Sequence, residues 1–150
     1  MACHRALHDS VAVSRSCAYR IFLGLVLCAA AGIGRAQTLV PRTWTSNSDK
    51  RWSRDANWGG NRPNADTEYA VFGTGTQLNP QLNANNTSLA GIVFEASAPG
   101  YNLTDDNGAR TLKLGGANAT YAFIQQNSAN NQAIGIKTLS LLDPTVLDIS

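Results

Sequence analysis

All three tryptophans of the chain, Trp44, Trp52 and Trp58, fall within fifteen positions, two of them inside KRWSRDANWGGNRPN (Lys50–Asn64). Indole faces stack on sugar rings and neighbouring arginines donate to hydroxyls, so Trp52 and Trp58 are candidate glycan contacts. The same indoles have a second use. A stack of β-coils exposes its apolar interior at its end, and each tryptophan buried there removes roughly 150–250 Å² from water. The cluster stands ahead of the first clear strand, which favours a cap.

Paired carboxylates are the next candidate chemistry, because glycoside hydrolysis needs two of them at a set separation. Asp105 and Asp106 are the adjacent pair, and they run into Asn107-Gly108 between two alternating segments, where a tight turn is expected. The turn lacks the alternating acids and distal glutamate of a calcium loop. Arg110 and Lys113 lie close by, but no acidic set recurs at coil spacing to complete a polysaccharide lyase. GTGT (Gly73–Thr76) lacks the third glycine, lysine and helix of a phosphate loop. The sequons at Asn85, Asn86, Asn102 and Asn118 are what an Asn- and Thr-rich chain contains by composition. No catalytic, cofactor or metal site is expected, and the chain is read as a non-enzyme.

The elements that would position these residues begin after an address. Arg5, Arg15 and Arg20 face a single acid, Asp9, ahead of IFLGLVLCAAAGIG (Ile21–Gly34) and then RAQ. A basic segment, an apolar segment and small residues at a cleavage site make a secretory signal. Gly34 and Ala36 fit the small-residue pockets, placing the cut between Ala36 and Gln37. Fourteen apolar residues fall short of the roughly 20 that cross a bilayer. Cys28 lies inside the apolar segment and not at the cut, which argues against a lipoprotein. Cleavage would remove Cys3, Cys17, Cys28, His4 and His8, the only cysteines and histidines. It would also take four arginines and one aspartate, leaving 8 basic and 9 acidic residues of the original 12 and 10. The basic pI of 8.6 thus belongs to the precursor. A nearly neutral mature chain argues against nucleic acid and anionic membrane surfaces as partners. Membrane contact is expected only through the signal or through an anchor outside this sequence.

Beyond Gln37 the punctuation by Gly, Asn, Asp, Pro and Thr leaves no room for a helical period. YNLT (Tyr101–Thr104), TLKL (Thr111–Leu114), KTLSLL (Lys137–Leu142) and TVLDIS (Thr145–Ser150) alternate with period two, as half-buried strands do. EYAVF (Glu68–Phe72) and LAGIVFEAS (Leu89–Ser97) are apolar almost throughout. The turn clusters between them suit positive φ and preset φ at their Asn, Gly and Pro. The class is all-β, with two architectures open: a β-sandwich and a parallel β-solenoid. Apolar pairs at Val71/Phe72, Ile92/Phe94, Leu112/Leu114 and Ile134/Ile136 recur at roughly 20 to 22 residues, which favours a solenoid.

ANWGGNRPNADTEYAVF, SLAGIVFEASAPGYNLT, TLKLGG and NSANNQAIGIKTLSLLDPTVLDIS together resemble the opening of autotransporter-associated β-strand repeat proteins. The resemblance covers Trp44–Ser150. It implies a right-handed parallel β-helix passenger, exported to the surface of a Gram-negative cell or secreted, with its outer membrane as the location. The expected organisation is a signal peptide at 1–36, a Trp-rich amino-terminal cap at 37–67 and solenoid coils at 68–150. The last segment stops inside a strand, so an incomplete stack is expected there, with Val146 or Leu147 and Ile149 uncovered. Such an open end offers unpaired edges for self-association. The functional expectation is a non-catalytic stalk, adhesive toward extracellular glycans or surface components. The alternative is a carbohydrate-binding or polysaccharide-acting β-helix module.

Overall fold

The computed structural model describes residues 38–149; the expected signal peptide and the cut between Ala36 and Gln37 lie outside them. Strands are numbered along the chain. The longest sheet joins β1 (Val40–Thr43), β2 (Glu68–Phe72), β5 (Gly91–Phe94), β8 (Ala122–Gln126) and β11 (Thr145–Ile149). A second joins β3 (Gln81–Leu82), β6 (Asn102–Asp105) and β9 (Ala133–Gly135), and a third β4 (Thr87–Leu89), β7 (Thr111–Leu114) and β10 (Thr138–Leu141). Every one of these ladders is parallel. The chain visits the three sheets in turn, and each strand pairs with the one a full coil away. This is a three-sided β-solenoid, and the sandwich alternative is set aside.

Coil one runs from β1 to Thr67, coil two holds β2–β4, coil three β5–β7 and coil four β8–β10, after which β11 opens the next coil. The expected cap at 37–67 is therefore part of the stack. Its β1 pairs with β2 from Val40–Glu68 onward, and Arg51 bridges to Gln81 on a second side. The segment DANW makes one 3-10 turn, Asp55–Trp58, ended by Gly59 at φ +69°. That positive φ suits a residue without a side chain.

The coil length is not the regular 20 to 22 residues expected. Tyr69 pairs with Gly91, 22 positions on, but Gly91 pairs with Phe123, 32 positions on. Val71/Phe72 and Ile92/Phe94 do lie on one sheet, whereas Leu112/Leu114 sit on β7 of the third sheet and Ile134 on β9 of the second. The apparent period mixed sides of the solenoid. The longer third coil has a physical cause at its last corner. Coil two turns from β4 to β5 through Ala90 alone, while coil three uses Gly115–Tyr121. That corner reaches back across coil two, where Asp66 Oδ2 accepts from the Asn118 backbone N–H at 3.0 Å and Asp66 Oδ1 from its amide at 3.1 Å.

Period-two alternation sends one set of side chains inward, where in-register ladders stack like on like. Leu89, Leu114 and Leu141 form one column, and Ala70, Ile92, Ile124 and Leu147 another. Burying a Leu or Ile is worth roughly 1.5–3 kcal/mol, and the columns collect that term unevenly. Leu89, Leu114 and Ile92 are fully buried, whereas Leu141 is 49% and Leu147 64% exposed. The inner columns thus open to solvent at the last coil, as expected for Leu147, whereas Val146, half exposed, lies on the opposite, outward face of β11. The side chain of Ile149 lies outside the described residues.

Candidate functional site

The three indoles are in the core. Trp44, Trp52 and Trp58 are 2%, 1% and 3% exposed. Trp58 lies 5.0 Å from Trp44 and 4.6 Å from Trp52 between ring centroids, and all three close on Phe72 of coil two. Phe72 in turn stacks on Phe94 at 5.4 Å and meets Tyr101 at 5.1 Å. Each indole N–H donates to a carbonyl oxygen: Trp44 to Gln77, Trp52 to Pro63 and Trp58 to Trp52. Trp52 and Trp58 therefore have no indole face left for a sugar in this structure. Their stacking surface is spent on one another and on Phe72 of coil two.

The loop that carries them is held by buried Asn57. Its amide donates to the carbonyls of Asp49 (3.1 Å) and Arg51 (2.8 Å), and its own carbonyl accepts from the Thr45 N–H. Outside, the Asp49 carboxylate pairs with Arg51 at 2.7 Å and Arg54 at 2.6 Å. Hydrogen bonds from Arg51, and then from Arg54, hold its pKa well below the usual carboxylate range. The arginines beside the tryptophans are thus engaged with an acid.

Asp105 and Asp106 form the expected turn. Asp105 ends β6 and accepts from the Gly108 N–H, with Gly108 at φ +65°. Asp106 pairs with Arg110 at 2.7 Å, whose hydrogen bond lowers its pKa, and Arg110 also reaches the Asn85 side-chain oxygen at 2.6 Å. Arg110 and the two aspartates are occupied in closing a corner. Among the described residues no group of three or more His, Cys, Asp or Glu stands close enough to hold a metal ion. No described helix is long and apolar enough to cross a membrane.

A concave surface that sequence reasoning missed lies on the outer face of the five-stranded sheet. The outward row of the ladder runs Pro41, Tyr69, Gly91, Phe123, Val146 along the axis, with Thr43, Val71, Val93, Gln125, Asp148 beside it. Tyr69 and Phe123 are two coils apart, yet their ring centroids are 5.6 Å apart. Gly91 makes this possible. A Cβ there would stand 2.6 Å from the Phe123 ring, so the ring occupies the space that a side chain would fill. Tyr121, 46% exposed, meets Phe123 edge-on at 6.1 Å. The resulting trough has a volume of about 510 Å³, and Glu95, Gln125 and Asp148 are its polar lining. Glu95 also lines an adjoining corner pocket of about 370 Å³ rich in Thr and Ser hydroxyls, among them Thr43, Thr45, Thr74 and Thr76. The signal for this site was the continuous apolar run EYAVF, where both strand faces are apolar although only one faces the core.

In comparison with known proteins, no protein-family model, no curated protein and no solved structure matches the chain.

Proposed function

We propose that the chain is a segment of an exported, non-catalytic β-solenoid that serves as a surface stalk with an adhesive side face. The observation that carries this reading is the single sheet β1-β2-β5-β8-β11, which passes through every coil as one ladder of parallel strands. Such a ladder extends by repetition and presents one continuous side to its surroundings. The charged groups near the tryptophans and the Asp105–Asp106 turn are engaged in ion pairs and corner hydrogen bonds, which supports structure over catalysis. The basic-then-apolar leader ending at Ala36 supports export. The resemblance to autotransporter-associated repeats supports a Gram-negative cell surface as the destination.

Expression of the full chain in a Gram-negative host tests the reading by intact mass and fractionation. The product should begin at Gln37 and lie beyond the inner membrane. A cytoplasmic product that keeps Met1 would sink the export reading, and release of reducing ends from polysaccharide would sink the non-catalytic one.

A further inference from the structure

We propose that the trough between Tyr69, Phe123 and Tyr121 binds a short, uncharged oligosaccharide. The assignment rests on reading the chain as a non-catalytic surface segment, and names the ligand class of its exposed side.

Four observations point to this ligand. The volume, about 510 Å³, is that of a small-ligand site and not of a protein footprint. The walls are aromatic, with Tyr69 and Tyr121 packed against Phe123 at 5.6 and 6.1 Å, a continuous apolar surface of the kind on which the C–H face of a sugar stacks. Among the lining residues Glu95, Gln125 and Asp148 supply hydrogen-bonding groups, and no lysine or arginine is present. Two carboxylates without a cation repel uronates, sialylated chains and phosphates, and accept hydroxyl donors well. Finally, β5 and β8 are paired on both sides, so a peptide has no free strand edge to extend there.

The outward rows follow the solenoid axis at the strand spacing of about 4.8 Å. Glu95 stands four residues beyond Gly91, past the carboxyl end of β5, so a linear ligand with one ring on Phe123 runs along the strands, across that axis, to reach Glu95 and the hydroxyl-lined corner pocket that shares it. Gly91 is the specificity element, because only a residue without a side chain lets the Phe123 ring lie down beside Tyr69.

Isothermal titration of the full chain with cellotetraose, maltotetraose and mannotetraose, and with tetragalacturonate as the anionic comparator, tests the proposal. At least one uncharged tetrasaccharide should bind. Tyr121→Ala should weaken it by about tenfold or more, corresponding to ~1.4 kcal/mol, with unchanged circular dichroism and melting. Phe123→Ala should weaken it further. Tyr121 is half exposed and outside the core, so its removal keeps the test valid if Phe123→Ala fails to fold. The proposal is overturned by any of four results. These are no binding of the three uncharged sugars, wild-type binding by Tyr121→Ala, tighter binding of tetragalacturonate, or a Tyr121-dependent dimer in sedimentation. Export without sugar binding would remove this inference alone, and binding without export would remove only the localisation.

Discussion

Trp58 donates its indole N–H to the carbonyl oxygen of Trp52 at 2.8 Å while their rings lie 4.6 Å apart. The pair is locked by a polar and an apolar contact at once, on top of Phe72. Trp58→Ala should therefore cost about 3–5 kcal/mol, the usual range for a large core aromatic. Trp58→Phe should cost less, since it keeps most of the ring but leaves the Trp52 carbonyl without that donor. Urea denaturation followed by the remaining tryptophan fluorescence measures both. A wild-type midpoint for Trp58→Ala would show that the indoles do not seal the first coil.

Gly91→Ala should destabilise by about 1–3 kcal/mol, the cost of overpacking. The new Cβ would meet both the Phe123 ring at 2.6 Å and the Phe123 carbonyl oxygen at 2.5 Å. Adding Phe123→Ala relieves the ring clash but not the backbone one, so the double variant should recover only part of the loss. A double-mutant cycle isolates the coupling; strict additivity would mean that ring and glycine do not share the space.

Stability should fall at both ends of the pH scale, for separable reasons. The Asp49 and Asp106 carboxyls are held low by hydrogen bonds from Arg51 and Arg54 and from Arg110. What they contribute is fully present above the unfolded value of about 3.9 and is lost as pH falls through their lower folded values. Both are at the surface, so the loss is modest. Tyr101 is 1% exposed, and burial pushes its phenol above its usual pKa of 10.0. Its contribution is present below that value and is lost as pH rises through the higher folded one. Denaturation midpoints from pH 2 to pH 11 should show an acid limb flattened in Asp49→Asn. The alkaline limb should flatten in Tyr101→Phe, which also gives up the 3.1 Å hydrogen bond to the Gly73 carbonyl. Limbs of wild-type steepness in these variants would assign the titration elsewhere.

Leu147→Lys should reduce self-association without lowering the melting temperature. Leu147 is 64% exposed at the end of one inner column and Leu141 49% at the end of another. Exposed apolar side chains next to a strand paired on one side, as β11 is with β8, make an association surface. Sedimentation velocity over a concentration series gives the answer. A wild-type chain that stays monomeric throughout would remove the basis for this prediction.

Part of this architecture was legible from residue types. EYAVF and TLKL are β2 and β7 to the residue, and the period-two rule located β6, β10 and β11 within a position or two. β3 was lost among the turn-forming Gly, Asn and Pro residues between β2 and β4, because two residues are too few to show a period. β8 was lost because Gln126 takes an inward register position opposite Phe94, diluting the apolar alternation. The burial of the three tryptophans followed from chemistry and position. The outer trough did not, since Tyr69, Gly91 and Phe123 become neighbours only through ladder offsets of 22 and 32 residues that no fixed period encodes.

The corner that joins Asp66 to Asn118 changes how this molecule comes apart. A solenoid in which each coil touches only the next behaves as a row of equal links, each free to fray in turn. Here one link passes over its neighbour: Asp66 precedes coil two and Asn118 lies in the corner after β7, and Gly116 leaves free the space that the Asp66 carboxylate occupies. Coil two is clasped between the two ends of that strap, so it cannot peel away while the strap holds. The row becomes a riveted block with a looser tail, and amide exchange along the chain should report two plateaus instead of a slope.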